Sequence, residues 1–379
     1  MAGRVVPNYV NSFPNTHIQH GFAVSIGSFK NDTNSLWAKY FNYPQTGLTV
    51  FYSNIGNNKI FGHQFSSLLF ISYNLFNKNV KPYYLKLGIG ASYFTTYYDS
   101  IKNPRNIDVG SKYMWAFQAF LYKTFLEKEG FNLRAGIGFS HASNGHTQLP
   151  NLGINSGLIS LSTQFYNKKT TNYQLTKNKH SVNQKKVYSV SLRRGLGFHE
   201  YGDEDGPVGG SKRKVHSTSL ALGKVYKQHL KLNIGITYRY YEQYYDQIIK
   251  NNYSEYIDNP KKSASNVVIY LGAEFLMSHF SIDFQLGVNV YKPFYKQFEK
   301  DFPAGNRFHG YEKFKSNFKR AFSSRLGLNL YLINTNKFPK HNIFIGTHIK
   351  ANAGQADFTE VTLGYSYKIK PHKNYVVSD

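Results

Sequence analysis

The chain has 379 residues, no cysteine, and 46 Lys+Arg against 21 Asp+Glu, for a formal charge of +25. The missing cysteine excludes disulfides, thiolate metal sites and cysteine nucleophiles. The charge excess suits a polyanionic partner, either nucleic acid or a phosphorylated glycolipid surface. No run of about 18 apolar residues exists, which excludes a transmembrane helix. The mean hydropathy of −0.46 fits a soluble protein, and equally a membrane β-barrel whose strands turn every second residue to a polar lumen.

Taken from the start, Met1 to Val6 contain no apolar targeting core. For an exported barrel this predicts a leader removed from, or missing in, this sequence. Beyond it the dominant pattern is alternation of period 2. Leu85, Leu87, Ile89, Ala91 and Tyr93 alternate with Lys86, Gly88, Gly90 and Ser92. The same holds for Leu230 to Tyr240, Phe280 to Val290 and Val361 to Ile369. The alternation predicts fifteen strands, near 18–28, 47–54, 61–76, 80–98, 109–126, 130–143, 153–167, 186–199, 213–226, 229–245, 264–277, 279–291, 319–333, 341–351 and 359–369. A short helical turn is expected near Leu36–Tyr40. Many of these strands reach the 9–11 residues that a tilted membrane strand needs.

The connections sort into two kinds. Tight turns are expected at Asn77-Lys78-Asn79, Glu127 to Gly130, Lys227-Gln228 and Ser278, and long polar loops at 99–108, 200–212, 246–263 and 292–318. Alternating short turns and long loops characterise outer-membrane barrels; the long 168–185 link departs from that alternation. The tyrosines from Tyr238 to Tyr245 suit an interfacial girdle. Even parity then gives an all-β, transmembrane antiparallel barrel of about fourteen strands, with 12–16 as the range. It would occupy 47–370, preceded by a 1–46 segment (periplasmic, or a first strand) and followed by a 371–379 tail.

One stretch carries chemistry. In 131–143 the odd positions Phe131, Leu133, Ala135, Ile137 and Phe139 are apolar, and His141 and Ser143 continue their face. In the next strand Asn155 shares a face with Gly157, Ile159, Leu161 and Phe165. A histidine, a serine and an asparagine therefore converge on the lipid side of a hairpin. These are a nucleophile, its general base and a group that orients the base. Asn144 and the backbone N–H groups around Gly145 are candidates for an oxyanion hole. The alternative is a polar hairpin rim, since Asn144-Gly145 is a common turn pair.

His-Ala-Ser-Asn-Gly at 141–145, with Pro150-Asn151-Leu152-Gly153, resembles the outer-membrane lipid A 3-O-deacylase (acyloxyacyl hydrolase) family. The resemblance implies that His141 and Ser143 are catalytic, that Asn144 serves the oxyanion and that Asn151 supports the site. That family's usual acid is a glutamate where this chain has Asn155. In outer membrane phospholipase A the same motif is followed, at this offset, by an asparagine that completes a Ser-His-Asn triad. The stretch Asn103-Pro104-Arg105-Asn106-Ile107-Asp108-Val109-Gly110-Ser111 is also similar to deacylase-type barrels, so the resemblance covers roughly 20–165.

Other features are weaker. Glu200, Asp203, Glu204 and Asp205 form an acidic loop, and His17, His20, His63, His180, His199 and His216 are scattered without metal-ligand spacing. Basic lumen residues suit either an anion-permeable pore or a paired, plugged interior. No phosphate loop, dinucleotide fingerprint or nucleic-acid motif is present. The expectation is an outer-membrane serine esterase acting on lipid A in lipopolysaccharide, without a cofactor and without nucleic acid, with a homodimer among its expected assemblies. The alternatives are a phospholipase, for which calcium is the expected cofactor, and a non-catalytic porin or structural barrel.

Overall fold

A computed structural model describes residues 1–8, 13–30, 36–41, 43–75, 83–167, 187–203, 206, 212–227, 229–302, 317–353 and 355–369. Its first eight strands are β1 (Ala2–Val5), β2 (Gln19–Phe29), β3 (Gln45–Ser53), β4 (Gln64–Asn74), β5 (Tyr83–Phe94), β6 (Tyr113–Lys128), β7 (Phe131–Ser143) and β8 (Ile154–Phe165). Helix α1 (Leu36–Tyr40) stands between β2 and β3, where the short turn is expected. The remaining strands are β9 (Val187–His199), β10 (Arg213–Tyr226), β11 (Leu230–Tyr241), β12 (Ser265–Met277), β13 (Phe280–Tyr291), β14 (Phe322–Tyr331), β15 (His341–Asn352) and β16 (Gln355–Ile369). No helix among the described residues is long and apolar enough to cross a membrane.

The antiparallel β-barrel class holds, but the strands close as two rings. β1 to β8 pair in sequence order and β1 returns to pair with β8; β9 to β16 do the same, with β16 on β9. The chain divides into two compact units, one per ring. Sixteen strands fall within the expected 12–16, and in place of one barrel they form two closed rings of eight. The stretch 1–46 supplies two strands of the first ring, β1 and β2. The physical reason is edge satisfaction. Four residues, Ala2 to Val5, pair with Ile159 to Ser156 and occupy the open backbone edge of β8. From Ser156 to Ile159, where β1 pairs with it, β8 has no N–H or C=O groups left for a further strand. The tail 371–379, the 168–185 link and the turn at Asn77-Lys78-Asn79 lie outside the described residues.

Within each ring the two faces separate as the alternation requires. On the first, Ile137, Phe139, Ile159 and Leu161 point outward and are exposed, while Arg134, Ser140, Ser156 and Leu158 point inward and are buried. On the second, Leu222, Leu271, Leu286 and Leu363 are exposed. An apolar outer wall around a filled interior is what lipid demands of a strand protein.

The interior of the second ring is a network of paired charges. Arg325 bonds Asp283 (2.7 Å) and Glu360; Lys350 bonds Asp357 (2.6 Å). Lys231 lies 3.4 Å from Glu274, which also accepts from Ser281, Asn329 and Tyr331. Of the two lumen alternatives, the paired and plugged one is found.

The long loops of this ring hold helices where polar coil is expected. These are α2 (Glu242–Asn251), α3 (Pro260–Ser263) and α4 (Tyr295–Asp301). The expected tyrosine girdle is split accordingly. Tyr238 is exposed, whereas Tyr241 and Tyr244 are buried, stacked at 4.5 Å, and packed with Tyr201, Ile248, Tyr256, Phe294 and Phe358. Tyr244 and Ile248 are four apart, one turn of α2, so they face the same cluster.

Candidate active site

The hairpin of β7 and β8 brings the candidate residues together. His141 lies directly opposite Asn155 in the antiparallel register. On the inner face their neighbours Ala142 and Ile154 are buried with Val5, Ile55, Phe61, Phe94, Val109 and Met114. That apolar cluster anchors the backbone from behind, while the outer face carries the polar groups.

His141 Nδ1 and Asn155 Oδ1 are 2.8 Å apart. A carboxamide oxygen only accepts, so Nδ1 is the donor and Nε2 keeps its lone pair. Ser143 Oγ accepts from Asn151 Nδ2 at 2.9 Å and from the Gly145 N–H at 3.2 Å. Because both partners donate, the Ser143 hydroxyl proton remains free for a base. His141 and Ser143 are two residues apart on one strand face, about 7 Å along it. No hydrogen bond joins them among the described residues.

The connection 144–153 sets these donors. The Asn144 N–H donates to Asn151 Oδ1 (3.1 Å), which turns Asn151 Nδ2 toward Ser143. The side chain of Asn144 is engaged in the loop itself: Nδ2 donates to the Gln148 carbonyl (2.7 Å) and Oδ1 accepts from the Thr147 N–H (3.2 Å). Among the oxyanion candidates, the Gly145 N–H reaches the nucleophile directly, and Asn144 acts on its partner Asn151. Gly153 has φ +76°, and a Cβ there would stand 3.1 Å from His141 Cε1. A side chain at 153 would press on the imidazole.

A second loop clamps the first. The Leu152 and Gly153 N–H groups donate to the carbonyls of Ile107 and Asp108 (3.2 and 3.0 Å). A Cβ on Gly110 would fall 2.0 Å from the Pro150 carbonyl oxygen, so only glycine allows this approach. Asn106 donates to the Ile60 carbonyl (2.8 Å) and accepts from the Val109 N–H. Burial pushes the Asp108 carboxyl up to about 6, against the opposing hydrogen bond from Asn8. Sequence reasoning singled out 103–111 without giving its residues a role. Asn106, Asp108 and Gly110 are the support it missed, and the dense Asn, Asp and Gly content of that loop was the available signal.

Elsewhere, Glu200 is buried, and Glu204 and Asp205 of the acidic loop lie outside the described residues. His199 is buried, its Nδ1 2.8 Å from the Asp357 carbonyl oxygen.

Residues 28–164 match the family described as Lipid A 3-O-deacylase (PagL), and residues 187–303 match the Acyloxyacyl hydrolase, C-terminal domain. No curated protein matches the chain. Among solved structures, outer membrane phospholipase A from Escherichia coli aligns at 10% identity over 96% of this chain and 98% of that one, with a TM-score of 0.18. The siderophore receptor PirA from Pseudomonas aeruginosa aligns at 8% identity over 93% and 63%, with a TM-score of 0.20. Scores this low do not equate the folds. The first match covers β3 to β7 and most of β8, and with them the His141, Ser143 and Asn155 hairpin. The second begins at the first residue of β9. On these two matches the chain belongs to the outer-membrane lipid A 3-O-deacylase (acyloxyacyl hydrolase) family, ester hydrolases acting on lipid A.

Proposed function

We propose that Ser143, His141 and Asn155 carry the ester hydrolysis, with Gly145 and Asn151 stabilising the charge that develops. The observation that carries this reading is the pair of short contacts on one lipid-facing hairpin: Asn155 on His141 Nδ1 (2.8 Å) and Asn151 on Ser143 Oγ (2.9 Å). Ser143 Oγ attacks the carbonyl carbon of the 3-O-acyl ester and gives its proton to His141 Nε2. Asn155 holds the imidazole in the tautomer that can accept it. The Gly145 N–H and Asn151 Nδ2, which point at the Ser143 Oγ that becomes bonded to the attacked carbon, donate to the tetrahedral oxyanion beside it. Collapse expels the sugar hydroxyl, which takes the proton back from His141. Water then attacks the acyl-serine with His141 as base and releases the fatty acid.

A hairpin facing the bilayer meets acyl chains where they lie, so the lipid need not enter the filled interior. Every group in the scheme is a side chain or backbone amide, so hydrolysis should proceed with no added metal. Self-association into a homodimer belongs to the same reading, and crosslinking in the outer membrane tests it.

The test is mass spectrometry of lipid A and phospholipids from cells expressing the wild type and Ser143→Ala. The wild type should release the 3-O-linked acyl chain from lipid A, and Ser143→Ala should lower that rate at least about 10³-fold. Hydrolysis should persist in EDTA. The phospholipase alternative is favoured by Asn155 in place of a carboxylate; its outcome is lysophospholipid that disappears with the chelator. Identical lipid profiles in the two strains would remove Ser143 from the chemistry.

A further inference from the structure

The outward positions of the first ring are apolar or uncharged with few exceptions. On β1 to β8 the basic ones are Arg4, Lys123, Lys128 (at the turn end of β6, opposite Phe131) and the two histidines His20 and His141. Lys123 stands beside the Tyr83 ring, toward the turn end of β6 and away from the catalytic hairpin. Arg4 stands next to that hairpin. It lies opposite Gly157 in the β1–β8 register, and Gly157 lies opposite Phe139 on β7. Arg4 is thus two strands, about 10 Å, across from the His141 strand and one outward position below the His141–Asn155 pair. It is exposed, and no ion pair or hydrogen bond holds it among the described residues.

An unpaired guanidinium on a lipid-facing wall costs up to about 2–4 kcal/mol at the bilayer midplane and nearly nothing at the interface. Its flexible stem can lie along the wall and carry the head toward the interface. The wall is open for that. A Cβ built on Gly157 meets nothing within 4 Å, so the space between Arg4 and Phe139 is unfilled. A cation beside a vacant notch, next to an esterase hairpin, has the chemistry of an anion clamp.

We propose that Arg4 is a substrate-positioning residue that binds the 1-phosphate of lipid A while the 3-O-acyl ester of the same glucosamine ring lies at Ser143. This rests on the Ser143 reading given above. The ester and the phosphate sit on one sugar ring, so a phosphate held at Arg4 keeps that ring beside the hairpin in the bound substrate and the transition state alike. Arg4 touches no reacting atom. Its effect falls on substrate binding, and the open notch at Gly157 is what lets the guanidinium reach the lipid.

The experiment compares the full chain, refolded in mixed micelles, on bisphosphorylated lipid A and on lipid A lacking only the 1-phosphate. Wild type should favour the bisphosphorylated substrate about tenfold in kcat/KM. Arg4→Gln should lose that preference through a raised KM at nearly unchanged kcat, and should match wild type on the dephosphorylated lipid. Arg4→Lys should recover part of the preference, and Gly157→Leu should weaken it. A wild type that treats both lipids alike overturns the proposal, and that arm needs no variant to fold. So does an Arg4→Gln that slows both substrates equally, the mark of a structural role. Ser143→Ala is run in parallel: if it keeps wild-type activity, the underlying reading of the site fails instead.

Discussion

Asn155 is the residue at which this hairpin departs from an acid-assisted triad. A neutral amide fixes the imidazole through Oδ1 but adds no negative charge beside the imidazolium that forms. Near lipid a full carboxylate would also carry a desolvation cost. Orientation is therefore the main contribution expected of position 155. Asn155→Ala should lower kcat about 10²-fold with little change in KM, whereas Asn155→Asp, which keeps the acceptor, should retain substantial activity. The comparison is made by following fatty-acid release; an Asn155→Ala enzyme as fast as wild type would dismiss the orienting role. Asn151 separates in the same way. Asn151→Asp keeps the acceptor for the Asn144 N–H and loses the donor to Ser143. It should cost about 10²-fold in kcat, the usual scale for one oxyanion donor. Near-normal turnover by Asn151→Asp would leave the oxyanion to Gly145 alone.

At the scale of elements, the site is a hairpin held by two interlocked loops, and the two parts differ in how well the sequence foretells them. The hairpin was legible because alternation is local: Phe131 to Ser143 and Asn155 to Phe165 announce their faces residue by residue. The clamp was not, because it depends on backbone groups that carry no side-chain signature, such as Gly153 N–H on the Asp108 carbonyl. Helix α2 escaped for a related reason: its buried Tyr244 also fits an aromatic girdle, and nothing local chooses between the two.

Asp108 gives the clamp a pH dependence. Its carboxyl is buried, Oδ2 lacks a hydrogen-bond partner, and its pKa stands at about 6 against an ordinary 3.8. A raised carboxyl pKa means the folded state holds its proton more tightly than the unfolded one. Ionisation therefore costs nothing below about 3.8, begins to cost above it, and costs fully above about 6. Asp108→Asn should stabilise the first ring by about 2–3 kcal/mol at pH 8 and leave it unchanged at pH 3.5. Urea-unfolding midpoints in micelles at the two pH values measure this. Equal effects at both would mean the carboxyl does not titrate in the folded ring.

At the scale of the whole molecule, what matters is how sixteen strands are partitioned. Period-2 patterning identifies strands but not ring membership, since β8 and β9 look like any other neighbours in sequence. Closure was decided by Ala2 to Val5, a strand too short to show alternation. The partition has a physical consequence. A ring of fourteen to sixteen strands encloses water, whereas a ring of eight is just wide enough for its own side chains. In the second ring several of those side chains are ion-paired, with Arg325 between Asp283 and Glu360 and Lys350 on Asp357. Side chains fixed across a narrow interior leave an ion no room to pass. In planar bilayers, insertion of the purified protein should give no stepwise conductance at physiological salt, for wild type and Ser143→Ala alike. Removing one member of a buried pair, as in Arg325→Ala, leaves two carboxylates without their cation and should destabilise the second ring by about 3–5 kcal/mol rather than open a selective pore. Porin-sized steps from the wild type would require one wide ring in place of two narrow ones. That would undo the assignment of β1 as the strand that completes the first.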